Sequence, residues 1–381
     1  MMKSKITVLA LIACITTVST FAQPVRPRKH PVGFKHISRD MPAEWYASTE
    51  AQAAADSVVK YQFPSGGWGK NMDWHKAAEG KKIAEKQHIW EAIHSKDGIG
   101  ATIDNGATTT EMLLLAKVYG ATKKSKYKKA FVKGLNYLLN AQYENGGWPQ
   151  FYPLKGTDKN GHVFYSNHIT FNDDAIYLVM QTLRNVYEGN EPYAALKLTD
   201  SEKEKARAAY KKGIECILKC QIRKDGKLTV WCQQHDEHTY EPAGARRYEL
   251  PSFTGCNETP NLISLLMDDP EPSDEIVNAV TAAIEWLKAH TIKDMAIEEY
   301  ENKDGKYDRR LVHKFGAETW ARYYDLETEE PYVCDRDGIK QPDMHYISYE
   351  RRTGYSWYGT NTKKVIKRYR KWLEKVRPSN T

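Results

Sequence analysis

Several features that would assign the chain to a common class are scarce or missing. Beyond the first two dozen residues there is no long apolar run, and the one at the start is too short for a comfortable bilayer span, so no membrane-spanning segment is expected. Cysteine is scarce, with 6 in 381 residues, and Cys14 lies inside that first apolar stretch. The others, Cys216, Cys220, Cys232, Cys256 and Cys334, are odd in number, which argues against a complete disulfide framework. A chain of this length can build a core without one. Cys216 and Cys220 share a helix face, and Cys232, His235 or His238 would be the partners in a zinc set. The knuckle spacing of structural zinc is missing, so these thiols are expected to be buried small hydrophobes. A strong excess of one charge is lacking too: 56 Lys and Arg stand against 49 Asp and Glu, a formal net charge of +7. The basic run Lys363, Lys364, Lys367, Arg368, Arg370 and Lys371 reads as the solvated face of a helix. No continuous basic stripe accompanies a recognisable nucleic-acid module, so nucleic acid is not expected as a partner.

The N-terminus has the form of an export signal. Lys3 and Lys5 make a basic start, Ile6 to Val18 is mostly apolar, and Thr20, Phe21 and Ala22 offer a small-residue cut before Gln23. Leu11 to Cys14 resembles a lipoprotein cleavage site, but the apolar run continues past Cys14, which favours the later cut. The chain then divides into a signal at 1–22, a Pro- and Arg-rich tether or strap at 23–42, and one domain at 43–381. No linker is evident within residues 43–376. The expected destination is the periplasm or the exterior, and the expected state is a monomer.

What the sequence has in quantity is aromatic residues, 24 Tyr and 10 Trp, together with a long internal repeat. A helical stripe ends at Gln62 and is followed by Gly66, Gly67 and Trp68. The ending recurs at Gln142 with Gly146, Gly147 and Trp148, and more weakly at Gln221 with Gly226 and Trp231. A spacing of roughly eighty residues with helix pairs in each unit predicts a closed or curved array of helices. Ser273 is placed to cap a further helix, and Ala296 to Val312, with Asp304-Gly305 at its middle, reads as a β-hairpin.

Acids and amides stand at the mouths of two apolar helices. Asp104 and Asn105 precede Met112 to Ala116, and Asn172, Asp173 and Asp174 precede Ile176 to Leu183. The plain structural explanation is N-capping of each helix. Two such mouths in one chain, beside Gly- and Trp-rich loops, favour an oxygen-lined site for a hard cation. Arginines in aromatic-rich loops at Arg246, Arg247, Arg322, Arg336, Arg351 and Arg352 suit carboxylated sugars, because guanidinium takes carboxylate in a fork while rings take C–H faces.

At these residues the chain resembles the family 10 polysaccharide lyases, pectate lyases built as an (α/α)3 toroid. The likeness rests on Ile103 to Thr109, Gly146 to Gln150, Ile169 to Ala175, Thr229 to Trp231 with Gln234 to Asp236, and Gly244 to Arg246. Trp320 to Tyr324, Asp335 to Gly338 and Arg352 to Gly359 extend it, so that it covers residues 45 to 360 in order. It implies an all-α dominated toroid with long loops and minor β-hairpins. It also implies Ca²⁺-dependent anti β-elimination of polygalacturonate to 4,5-unsaturated oligogalacturonides. By the resemblance Arg246 is the base that removes the C5 proton, and Asp173 and Asp104 are essential acids that hold Ca²⁺. Arg322, Arg336, Tyr355 and Asn105 bind the substrate. Two other readings stay open from the residues: a hydrolase using Asp104 with Asp173 or Asp174 as acid and base, and a non-catalytic protein that binds acidic glycans.

Overall fold

Three helical hairpins carry the fold. The chain is described here from a computed structural model at residues 33–74, 100–154, 156, 165–244 and 249–377. The signal expected at 1–22 and the expected base Arg246 lie outside the described residues. Helices α1 (Phe34–Arg39) and α2 (Thr49–Lys60) lead into the hairpins. These are α3 (Thr109–Thr122) with α4 (Ser125–Ala141), α5 (Ala175–Glu188) with α6 (Asp200–Lys219), and α7 (Glu258–Met267) with α8 (Asp274–Ala289). Helices α9 (Tyr349–Gly354) and α10 (Thr362–Val376) close the sequence of elements.

The hairpins form two layers. Helix α3 packs on α5 and α5 on α7, while α2, α4, α6 and α8 neighbour one another in turn, and α10 lies against α7 and α8. Composition explains which layer each joins. Helix α3 is apolar around most of its circumference and buries Met112, Leu114, Leu115, Ala116 and Val118. Helix α4 keeps Lys126, Lys129 and Lys133 off its buried stripe of Tyr127, Phe131, Leu135 and Leu138, as befits an outer helix. The result is the expected α/α toroid. Helix α10 buries Val365, Tyr369 and Trp372 and turns its basic run outward, so that run is the solvated face foreseen.

The repeat foreseen in the sequence is a physical device. Gln62 donates from Nε2 to the carbonyl of Gly66 (2.7 Å) in its own turn and to that of Ala130 (2.9 Å) on α4. Gln142 does the same to Gly146 (3.0 Å) and Ala209 (2.8 Å), and Gln221 to Thr229 (2.8 Å) and Ala279 (2.9 Å). Each glutamine thus ties one hairpin to the next. Each buried tryptophan then gives its indole N–H to the helix before it: Trp68 to Val58, Trp148 to Leu138, Trp231 to Ile217, all at 2.7 Å. A fourth copy, not foreseen, is Trp320 to Leu287 at 2.7 Å.

The connections sort by length. Those leaving α2, α4, α6 and α8 are long and gather at one end, whereas α3–α4 and α7–α8 are joined by short turns at the other. The β-hairpin is larger than expected, with strands Ile292–Glu301 and Tyr307–Ala321 around Gly305 at φ +70°. Strand Tyr323–Tyr324 pairs with Phe253–Thr254 and with Pro331–Cys334, and so fixes Arg322 between two sheets. Ser273 caps α8 by accepting from the Ile276 N–H (3.3 Å). The segment ahead of residue 43 is a packed strap over its described part, with α1 lying on α3 and burying Phe34 and Ile37. Cys216, Cys220, Cys232, Cys256 and Cys334 are all free and buried, as expected of small hydrophobes.

Gly146 sits at φ +92°, and a Cβ there would lie 2.0 Å from the Lys212 carbonyl oxygen on α6. Gly146→Ala should therefore cost about 3 kcal/mol, combining left-handed strain with backbone overlap. Gly354→Ala, where a Cβ meets nothing within 4 Å, should stay within about 0.5 kcal/mol. Denaturant melts of the two variants give the comparison.

Candidate active site

The long connections bring three turns to the start of α3, α5 and α7. In each unit the tryptophan that anchors the loop also accepts, through its carbonyl, a threonine N–H: Thr102 on Trp68 (3.0 Å), Thr170 on Trp148 (3.0 Å), Thr254 on Trp231 (2.9 Å). The residues after each threonine therefore enter the site in register. They are Asp104-Asn105-Gly106, Asn172-Asp173-Asp174 and Cys256-Asn257-Glu258. The first two form 3₁₀ turns that pack against each other.

These acids do not cap their helices. Asp174 stands at the N-cap position of α5 with φ 62°, and its side chain makes no capping bond. Asp173 at φ 51° and Asn105 at φ 55° are left-handed as well. Consecutive left-handed non-glycine residues cost roughly 1 kcal/mol or more each, strain of the kind found at functional sites. The turns point their carboxylates into the site and away from the orphan helix N–H groups.

Arg322 lies at the centre. It is 3% exposed, yet from Nη2 it donates to Glu258 Oε1 (2.5 Å), Asp173 Oδ1 (3.0 Å) and Asn172 Oδ1 (3.1 Å). Its guanidinium carbon is 4.5 Å from the Tyr355 ring centre and 5.4 Å from that of Tyr323, so it lies against two neighbouring aromatic rings. Burial opposes its charge, but Glu258 and the surrounding oxygens prevail and hold Arg322 well above its ordinary pKa. Among the described residues its buried Nε has no hydrogen-bond partner, and neither has Glu258 Oε2. Tyr355 shares a hydrogen bond with Tyr323 (2.7 Å) and donates to Glu249 (3.3 Å). Arg351, also buried, stands 4.2 Å from the Tyr355 ring centre on a side away from solvent.

Asp104 is fully buried and paired with Lys70, and Asn105 donates to Asn71 (3.3 Å) beside it. Asp174 accepts from Asn261 (2.8 Å). Burial pushes its pKa up to about 6, reinforced by the nearby charges of Glu258 and Asp173 against the opposing Asn261 amide and Arg322. Of the expected site residues, Asp173, Arg322 and Tyr355 gather at one place, and the turn of Asp104 and Asn105 lies against that of Asp173. Arg336, 55% exposed, instead has its guanidinium forked onto Glu350 (2.7 and 2.9 Å), which is not part of that cluster. Arg246 lies outside the described residues.

Glu258 was missed as a site residue, although it occupies in the third unit the place that Asp174 has in the second. The signal was available: each lies four residues after a threonine that follows the loop tryptophan. Lys70, Tyr323 and Arg351 carry no such periodic mark.

The zinc alternative fails on His235. Its Nδ1 meets the Tyr240 carbonyl (2.7 Å), its Nε2 accepts from the Cys232 N–H (3.0 Å), and burial lowers its pKa to about 4. Among the described residues, His168, Asp236 and Glu237 bring three ligand atoms within 4.8 Å of one another. His168 and Glu237 already pair at 2.9 Å, and Asp236 accepts the N–H groups of His238 and Thr239 in its own turn.

Comparison with known proteins agrees with this geometry. A solved family 10 polysaccharide lyase from Cellvibrio cellulosa shares 33% identity over 89% of this chain and 94% of its own, with a TM-score of 0.70. A mutant of the Cellvibrio cellulosa family 10 lyase, solved in complex with trigalacturonic acid, shares 34% identity over 86% and 95% of the two chains at a TM-score of 0.69. No curated protein matches the chain. Fold and site thus define a polysaccharide lyase of the α/α toroid class. The family model for pectic acid lyase matches residues 62–366, and the chain belongs to that family. It is a pectate lyase.

Asp174 offers a test of the site's electrostatics. Its raised pKa means that the folded state holds this proton more tightly than the unfolded chain, so the stability it contributes is complete below about pH 4 and lost as pH rises through about 6. With chelator present, Asp174→Asn should match the parent near pH 4 and exceed it by on the order of 1–3 kcal/mol above pH 6. Urea melts across that range measure it; parallel stability curves would contradict the assignment.

Proposed function

We propose that this enzyme cleaves polygalacturonate by calcium-dependent anti β-elimination, with Arg246 as the base. The observation that carries the proposal is the arrangement around Arg322, a buried cation fixed by two carboxylates and two neighbouring aromatic rings at the mouth of the toroid. A preorganised guanidinium of this kind suits the carboxylate of a uronate, whose negative charge grows as the C5 proton leaves. Arg336 and Tyr355 would complete the grip on the substrate, and Asn105 would meet its hydroxyls.

The donor set fits calcium. Asp104 and Asp173 are hard oxygen ligands on neighbouring turns, and Asn105 and Asn172 add amide oxygens. Asp173, Asp174 and Glu258 together bring more negative charge than Arg322 balances, and Glu258 keeps one buried oxygen without a partner among the described residues. Calcium bound there would supply positive charge against the substrate carboxylate. Asp173 and Asp104 would hold it, with Lys70 keeping the Asp104 carboxylate in place.

In the reaction Arg246, as neutral guanidine, takes the C5 proton. The C5–H electron pair becomes the C4–C5 double bond, the C4–O bond breaks, and the departing oxygen takes a proton from water. Free arginine is protonated below pH 12, so the reactive neutral form grows with pH and the rate should climb into the alkaline range. Glu249, three residues along the chain from Arg246, meets Tyr355. That supports placing the base at this site. The export signal expected at 1–22 would carry the enzyme out of the cytoplasm. The domain at 43–381 would be the catalytic toroid.

Ultraviolet absorbance of the unsaturated product on polygalacturonate tests the reading. Chelator should abolish the signal and added calcium restore it. Arg246→Ala should lose at least about a thousandfold in kcat while still binding oligogalacturonide. Sugar release without that absorbance would mean hydrolysis, and full activity in Arg246→Ala would remove the base.

A further inference from the structure

A channel leaves the Asp173–Asp174 turn and runs the length of α5. It has a volume of about 530 Å³ and ends at Glu191, Pro192 and Tyr193, on the side of the short connections. Its floor is the polar side of α5, where Tyr177, Gln181 and Asn185 follow at helical spacing, opposite the buried stripe of Ile176, Val179, Met180 and Leu183. Helix α3 forms one wall with Thr109 and Thr110. Hydroxyl and amide groups therefore line a space of the size that ligands fill.

The other wall is α1. Lys35 and Arg39 are four residues apart on this helix and both line the channel, while Phe34, Ile37 and Ser38 face the core. Among the described residues neither cation forms an ion pair with a carboxylate. The neighbouring His36 does pair, with Asp40 at 3.2 Å, outside the channel lining. The strap that carries them is tied down: Lys117 on α3 donates to the Arg39 carbonyl (2.7 Å) and to the Tyr46 hydroxyl (2.9 Å). Tyr46 in turn donates to the Ser38 carbonyl (3.3 Å). Two cations are thus held over a polar channel that opens at the acidic turn.

Resting on the proposed function, we propose that this channel is a further subsite for the substrate polymer, in which Lys35 and Arg39 take the carboxylates of uronate units beyond those at Arg322. A polygalacturonate chain carries one negative charge on every sugar, so a stretch entering the channel brings carboxylates to the two cations and hydroxyls to the α3 and α5 side chains. A trimer held at Arg322 is too short to gain from both regions. The strap, which precedes the toroid hairpins, then tunes how strongly long chains are preferred.

The test compares chain lengths. Lys35→Gln with Arg39→Gln keeps the side-chain stems and removes the charge. The ratio of KM on trigalacturonate to KM on polygalacturonate should fall about tenfold or more, since each charged contact is worth on the order of a tenfold change in affinity. Lys35→Arg with Arg39→Lys should restore most of that ratio, and thermal melts check that both variants fold. Calorimetry of the chelated protein with trigalacturonate and with a long oligogalacturonate gives a readout free of catalysis, and the double Gln variant should lose affinity for the long ligand selectively. A length ratio within twofold of the parent's in both assays overturns the subsite. If the parent yields no unsaturated product, the lyase reading fails, and the calorimetry alone decides on the channel.

Discussion

The interaction on which this fold depends is a buried indole N–H given to the carbonyl of the preceding helix. A tryptophan ring is too large to bury without gain, about 5 kcal/mol at 150–250 Å² and roughly 25 cal/mol/Å². Its N–H, however, would cost 1–3 kcal/mol if left unsatisfied, so each ring has one good orientation. Trp68, Trp148, Trp231 and Trp320 all adopt it. With the ring fixed, the backbone of the first three is fixed too, and their carbonyls take Thr102, Thr170 and Thr254. The chain then has only two residues to travel before Asp104, Asn172 and Cys256. Packing at the helix ends thereby sets where the acids stand, and the site inherits the rigidity of the core.

Charge is concentrated where that scaffold delivers it. A buried arginine facing two carboxylates is a weak source of stability, because desolvation of three charged groups offsets much of their attraction. The arrangement makes more sense as preorganisation. Arg322 is held through Nη2 by Glu258 and Asp173 and lies against the rings of Tyr323 and Tyr355, so it has little freedom left to lose when an anion arrives. The carboxylates in turn are not neutralised by a single guanidinium, which leaves the turn attractive to a divalent ion. On the proposed reading one cluster would serve both an anionic sugar and the cation that accompanies it.

Much of this was legible in the sequence because it repeats. The Gln and Gly-Gly-Trp endings announced the helical units, and the acids at the mouths of α3 and α5 stood out against apolar helices. Where the repeat is degraded, legibility fell. Gly226 follows Gln221 without a second glycine, and Trp320 has no glutamine ending ahead of it, so the fourth anchor was invisible until Leu287 was found to accept its N–H. Glu258 was hidden by Cys256, which replaces the acid or amide of the other two mouths. Lys70 and Arg351 stood in the polar and aromatic loops that the sequence marks, but their partners Asp104 and Tyr355 could not be read there. The two cations reach the site through tertiary packing of irregular loops, where neither helical nor strand periodicity marks the inward side. The strap was read from its prolines and arginines, while the short apolar pattern of Phe34 and Ile37 that seats α1 is too brief to register as a helix.

Backbone strain separates the three units. In the first, the left-handed pair is Asn105 and Gly106 (φ 55° and 73°), the residue types that tolerate it best. In the third, Asn257 is at φ −117° and the strain is absent. In the second, the same left-handed pair is Asp173 and Asp174, at φ 51° and 62°. Glycine at position 174 would relieve part of that strain without losing a helix cap, giving up only the hydrogen bond from Asn261. It would also remove a carboxyl whose burial is itself unfavourable. Two penalties accepted at one residue, on the turn that also carries Asp173 and borders the channel toward Lys35 and Arg39, fit the proposed reading in which the second mouth works on the substrate. The other two mouths then act as supports: the first supplies Asp104 on its Lys70 tether, and the third supplies Glu258 to aim Arg322.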